Sequence, residues 1–268
     1  MNTPQRSGVP QGRLYVIPSL LGVVPPEHVL PRRTIDIARG LAHFVVETPK
    51  AARQFLKTLA PDRALQSIAL GELNEHTPAH RVAELLAPAR SGHDLGLISD
   101  AGCPGVADPG AVLVAAAHKA GIPVVPLVGP SAVLLALMAS GMNGQSFAFH
   151  GYLPAKSAPR AAALRELDQA IARTGATQLF IETPYRNDAL VDAILLACRP
   201  ELRLCLAVDL TLPTEQVQNR TIAEWRVAPR SSLDRRPAIF LLGANEAPGR
   251  MNSALRTPRH ATGFRRCD

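Results

Sequence analysis

One stretch, Leu95 to Leu137, constrains the fold more than any other. It runs from an apolar strand (96–98) into the loop Ser99-Asp-Ala-Gly-Cys-Pro-Gly-Val-Ala-Asp-Pro-Gly110. An Ala-rich helix (111–120) follows, then a second apolar strand (123–127) that ends at Gly129-Pro-Ser-Ala132 and opens another helix. Short apolar runs alternating with helical periodicity are the signature of a parallel or mostly parallel α/β sheet. The same alternation extends backwards. Strands are predicted at 13–17, 43–46 and 67–70, and helices at 32–42, 50–59 and 79–87. The Pro-rich segment 18–31 holds at most a turn of helix.

Beyond Gly129 strands follow one another more closely. A helix at 132–139 precedes strands at 146–150 and 178–181, with helices at 159–172 and 188–198. Further strands are predicted at 202–208, 215–222 and 237–242. This half reads as α+β with a mixed sheet. The expected organisation is a lead at 1–11, an N-terminal α/β domain at 12–127, a C-terminal α+β domain at 128–246 and a basic tail at 247–268. At 268 residues the chain can bury a substantial core, and 47% hydrophobic residues fit a globular protein.

The net charge of +7 favours an anionic partner. That charge is concentrated at one end, because residues 249–268 hold five Arg and one acid, a net +4. Aromatics at 4% leave no room for a broad base-stacking surface. None of the four Cys pairs at CxxC spacing, and His76 and His80 flank Pro78 without a HExxH pattern, so no metal site is expected. With no charged-then-apolar leader and no apolar run of membrane length, a soluble cytoplasmic protein is expected.

Ligands in open α/β sheets bind at the carboxyl ends of strands. Here those ends carry Pro18-Ser19, Glu47-Thr48, Ser99-Asp100-Ala101-Gly102 and Gly129-Pro130-Ser131-Ala132. Asp100 can accept from a ribose or an amino group, Gly102 and Gly105 allow close backbone approach, and Ser131 opens a helix with free N–H groups. Ser99-Asp100 reads equally well as a plain turn, and Asp108-Pro109-Gly110 as a helix cap. The absence of GxG excludes the usual dinucleotide fingerprint, and no Walker A sequence occurs. Cys103 lacks an obvious activating base. Glu182 and Asp209, both at strand ends, read as general bases or as turn caps, and Lys156 and Arg160 as phosphate ligands or solvated charges.

The loop 99–110, the segment Gly121-Ile-Pro-Val-Val-Pro-Leu-Val-Gly-Pro-Ser-Ala132 and Gly151-Tyr-Leu-Pro-Ala-Lys156, in that order, resemble the tetrapyrrole methylase superfamily. The likeness spans about 12–243, and Glu182-Thr-Pro-Tyr-Arg186 resembles the family's Glu-Ser-x-His-Arg segment. The resemblance implies a two-domain α/β methyltransferase, usually a homodimer, that binds S-adenosylmethionine between its domains. By position it implies cofactor contacts at Asp100, Ala101, Gly102, Val106, Ser131 and Ala132, with Pro18 and Tyr185 as further walls. For the reaction it implies ribose 2′-O-methylation of 16S ribosomal RNA. A ribose hydroxyl is a weak acid, so a base or nearby cation should help its deprotonation, and Glu47, Glu182 and Lys156 are the candidates. A small-molecule acceptor such as a tetrapyrrole, or an inactive homologue, is the alternative. Three departures bear on the acceptor: Gly22-Val-Val-Pro-Pro26 in place of Gly-Asn-Leu-x-Asp, Glu47-Thr-Pro-Lys50 in place of Glu-Asp-Thr-Arg, and Asp209 without a preceding Arg.

Overall fold

The structure is a computed structural model that describes residues 11–245. The basic tail, and all but the last residue of the polar lead, fall outside them. The first sheet contains β1 (Leu14–Val16), β2 (His43–Val46), β3 (Ala69–Glu72), β4 (Leu95–Ile98) and β5 (Val124–Pro126). Its order is β3-β2-β4-β1-β5 and every pairing is parallel. Both faces are covered, which is why the strands are apolar without alternation. Tyr15, Phe44, Val46 and Ile98 pack with Ala38, Ala52, Phe55 and Leu56 of α1 (Arg32–Gly40) and α2 (Pro49–Thr58). The intervening residues Leu14, Val45, Leu95 and Leu97 face the other way. They meet Val82, Ala89, Leu113 and Ala117 of α3 (Ala79–Glu84), α4 (Ala87–Arg90) and α5 (Gly110–Lys119).

The second sheet contains β6 (Phe147–Tyr152), β7 (Thr177–Ile181), β8 (Arg203–Val208), β9 (Gln216–Thr221) and β10 (Ala238–Gly243). Its order is β6-β7-β10-β8-β9; only β6 and β7 run parallel. One face carries α7 (Ser157–Thr174), α8 (Asn187–Ala197) and α9 (Ile222–Val227), through Leu164, Val191, Ile194 and Trp225 against Phe180, Leu206 and Phe240. The Phe180 and Phe240 rings stack with centroids 5.8 Å apart. The other face receives Ala136 and Leu137 of α6 (Ala132–Ser140), and Leu21 from the first half of the chain packs against the same cluster.

Several boundaries differ from the sequence reading: the helix expected at 79–87 is split into α3 and α4, and β6 runs on to Tyr152 rather than stopping at 150. β3 starts two residues later than predicted, because Leu65–Ser67 winds into a 3-10 turn first. The predicted strand 215–222 stops at Thr221, whose hydroxyl caps the Glu224 N–H while the Glu224 carboxylate takes the Thr221 N–H. That reciprocal capping box starts α9, which the sequence reading missed although Thr-x-x-Glu is its signal.

The chain moves from β1 through β2 to β3, then reverses through β4 to β5. Adjacent β1 and β4 therefore send their following loops in opposite directions, which opens a crevice at their carboxyl ends. Gly96, in the middle of β4, keeps this centre flat: a Cβ there would lie 2.5 Å from the fully buried Phe44 ring and 3.0 Å from Ile17. Gly96→Ala should overpack the site, costing about 1–3 kcal/mol and lowering Tm by roughly 2–10 °C. An unchanged melting curve would contradict this packing.

Candidate functional site

The crevice widens into a cleft of about 390 Å³ where the strand ends of the two sheets meet. The first half contributes Leu21, Glu47, Ser99 to Cys103 and Val106 to Asp108; α6 contributes Ser131 to Val133. The second half contributes Phe149, Tyr152, Ile181, Glu182, Asp209 and the start of β10.

Parallel pairing of β2 with β4 sets Glu47-Thr48 beside Ser99-Asp100. Thr48 donates twice to Asp100: its hydroxyl to Oδ2 at 2.7 Å and its N–H to Oδ1 at 3.1 Å. The Asp100 N–H points back to Glu47 Oε2 at 3.4 Å. Burial pushes the Glu47 carboxyl up; the Asp100 N–H works against this, and the carboxylates of Asp100 and Asp108 reinforce it. The rest of the loop is held by Asp108, whose carboxylate accepts the N–H groups of Gly105 (2.8 Å) and Gly110 (2.6 Å). Gly102 takes φ +70°, which an L side chain would resist, and its carbonyl accepts the Ser19 N–H at 2.9 Å. This bond ties the β4 loop to the β1 loop across the crevice.

Glu182 directly follows β7 with its side chain fully buried. Its Oε1 accepts from Arg186 Nη2 and the Thr183 N–H, each at 2.7 Å, while Oε2 is buried without a partner. Burial alone would raise this carboxyl, but Arg186 and Thr183 together hold it below its ordinary value. Asp209 follows β8 at φ +52° and accepts from Thr214 and from Arg236, both at 2.8 Å. Its guanidinium partner comes from a distant residue, and the sequence around Asp209 gave no sign of it.

Five carboxylates thus line the cleft: Glu47, Asp100, Asp108, Glu182 and Asp209. Among the described residues that line it there is no Lys or Arg. In a chain of net charge +7 this concentration of acid selects for a cationic ligand or one rich in N–H and O–H donors. Cys103 also lines the cleft, but burial raises its thiol, Ser131 partly offsets this and Asp108 adds to it. It is a poor nucleophile. Among the described residues no cluster of three metal-ligating side chains occurs.

Of the residues singled out from sequence, Glu47, Asp100, Ala101, Gly102, Val106, Ser131, Ala132 and Glu182 come together in the cleft. Three do not line it. Pro18 is buried behind it, close enough to Gly129 that a Cβ there would meet it at 2.5 Å. Lys156 is exposed at the start of α7, because the chain has already turned away from the strand end. Tyr185 stands exposed in a 3-10 turn just past Pro184, which does line the cleft. Phe149, Tyr152 and the start of β10 were missed, since only tertiary folding brings them to the cleft.

The sequence profile of the family described as Tetrapyrrole (Corrin/Porphyrin) Methylases matches residues 28–225. A protein of Vibrio cholerae serotype O1 named ribosomal RNA small subunit methyltransferase I is 34% identical over 218 residues, 81% of this chain and 72% of its own length. A namesake from Micromonospora olivasterospora is 36% identical over 214 residues, 80% of this chain and 64% of its own. The crystal structure of the methyltransferase CobJ superposes with a TM-score of 0.58 at 20% identity, covering 87% of this chain and 94% of that one. At that identity the likeness speaks to the fold.

The raised Glu47 carboxyl has a consequence for stability. Its folded pKa lies above the unfolded one, so ionisation opposes folding and stability is lost as pH rises through the folded value. Glu47→Gln should therefore melt higher than the parent at pH 7–8. The gap should close as pH falls through the ordinary carboxylate value of 4.5. A gap that is absent, or independent of pH, would contradict the assignment.

Proposed function

The chain belongs to the tetrapyrrole (corrin/porphyrin) methylase family, and we propose that it moves a methyl group from S-adenosylmethionine to a ribose 2′-hydroxyl of small-subunit ribosomal RNA, working as a cytoplasmic homodimer. The observation that carries the donor is the acid-lined, base-free cleft between the sheets. The relatives' names supply the acceptor. The proposed division of labour follows two domains, 12–127 and 128–246, with the cleft between them.

The donor fits the residues present. A cleft of about 390 Å³ is of ligand size. Sulfonium, ammonium, ribose hydroxyls and adenine amine are all cationic or hydrogen-bond donors, and they match carboxylates. The donor's own carboxylate suits the free N–H groups at Ser131 to Val133, where α6 begins. Asp100, Ala101, Gly102, Val106, Ser131 and Ala132 form the proposed binding wall, and Pro18 supports it from behind. Asp100 spends two acceptor positions on Thr48 and retains lone pairs for a ligand.

The bound donor supplies an electrophilic methyl on its sulfonium sulfur. What the chain adds is alignment, exclusion of water and a place for the acceptor's proton. Glu47 is the proposed base, because it lines the cleft beside Asp100 and burial pushes its carboxyl upward. Glu182 is the weaker candidate: Arg186 and Thr183 already stabilise its charge. Lys156, exposed and outside the cleft, is set aside. Support for a homodimer comes from α6, which is apolar on all sides and leaves Leu134 and Met138 exposed one turn apart.

The test is transfer of tritiated methyl to 30S subunits from a strain lacking its own copy of the enzyme. Label should enter 16S RNA at a ribose. Donor binding without any label in RNA would overturn the RNA acceptor in favour of a small molecule. Asp100→Asn should weaken S-adenosylhomocysteine binding about 10- to 100-fold by calorimetry, since it removes a charged hydrogen-bond acceptor. Glu47→Gln should leave that affinity within about twofold and lower turnover by roughly 10²- to 10⁴-fold.

A further inference from the structure

The chain has three tyrosines. Tyr15 is buried in the first sheet, while Tyr152 and Tyr185 are 57% and 68% exposed at one corner of the cleft. The corner exists because β6 and β7 run parallel, so that Tyr152 pairs with Ile181 and the two carboxyl ends lie together. Tyr152 owes its direction to an irregularity. Phe149 and Tyr152 both line the cleft although they lie three positions apart, and strict strand alternation would put them on opposite faces. The register slips between them, with Gly151 at φ +63°, and this bulge turns Tyr152 inward. Just before it, the His150 ring is fixed 2.7 Å from the Gln178 side-chain oxygen.

Arg186 completes the corner. It is anchored to buried Glu182, one third of its side chain stays exposed, and its guanidinium carbon lies 5.2 Å from the Tyr185 ring centroid. Two exposed aromatic faces beside a fixed cation do nothing for the core. Glu47, Asp100 and Asp108 face the cleft without a guanidinium partner and disfavour phosphate inside it, so the rim is where a polyanionic acceptor is gripped.

We propose that Tyr152, Tyr185 and Arg186 form a subsite for an unpaired RNA nucleotide of the acceptor strand, the rings stacking on bases and the guanidinium facing a phosphate. This rests on the RNA reading above and sharpens it: the acceptor segment is single-stranded, because a base inside a duplex has both faces covered by its stacked neighbours. Stacking of one base on one aromatic ring is worth about 1–3 kcal/mol by alanine substitution, roughly 5- to 150-fold in affinity.

The experiment is fluorescence anisotropy with a labelled mixed-sequence single-stranded RNA 12-mer, alongside calorimetry with S-adenosylhomocysteine. Tyr152→Ala and Tyr185→Ala should each weaken RNA binding about tenfold. Tyr152→Phe and Tyr185→Phe keep the rings and should stay within about twofold, and the two Tyr185 variants, whose ring lies outside the cleft lining, should keep parental S-adenosylhomocysteine affinity. The same RNA annealed to its complement should bind more weakly and ignore the substitutions. RNA affinity untouched by the Ala variants, equal losses in Phe and Ala, a parallel loss of S-adenosylhomocysteine binding in Tyr185→Ala, or a duplex bound as tightly with the same losses would each overturn the subsite. Parent protein that binds S-adenosylhomocysteine but no RNA would instead bring down the RNA reading, and the subsite with it.

Discussion

Parallel pairing of β2 and β4 is the constraint on which the site depends. It brings two strand ends to one edge, and a pair of hydrogen bonds from Thr48 to Asp100 joins them. A second bond, Ser19 N–H to the Gly102 carbonyl, ties in the loop after β1. The three loops therefore act as one wall. The reversal of strand order at β3 puts that wall at the crevice between β1 and β4, where its polar groups face the second sheet.

The second constraint is the separation of charge. Carboxylates crowded together repel one another and resist burial, so each needs compensation. Asp100 and Asp108 take backbone and hydroxyl donors from their own loops. Glu182 and Asp209 take guanidinium groups from Arg186 and Arg236. Burial pushes the Glu47 carboxyl up, and against it Glu47 has only the Asp100 N–H. The proposed base and the proposed fixed anions thus differ in partners rather than in residue type.

Much of this was legible in the sequence. The alternation of apolar runs and helical segments gave the parallel sheet, because strands covered on both faces cannot hide their hydrophobicity. The strand-end rule brought Glu47, Asp100 and Ser131 forward before any contact was known. What was hidden depends on contacts distant in sequence. Arg236 reaches Asp209 across 27 positions, which no local pattern encodes. The bulge at Gly151 reverses the facing of Tyr152, so counting by twos along β6 assigns it to the wrong side. Lys156 is close in sequence to a strand end, while its position at the start of α7 carries it away from the cleft. The start of α9 was legible in Thr221 and Glu224, and β9 runs straight into it without an intervening loop.

A crystal structure of the protein with S-adenosylhomocysteine tests the central claim most directly. The account predicts the ligand between the sheets, with Asp100 accepting from one of its N–H or O–H groups and its carboxylate at the N-terminus of α6. Density for the ligand elsewhere, or a cleft closed by Phe149, Ile181 and Leu210 with no ligand in it, would contradict the account.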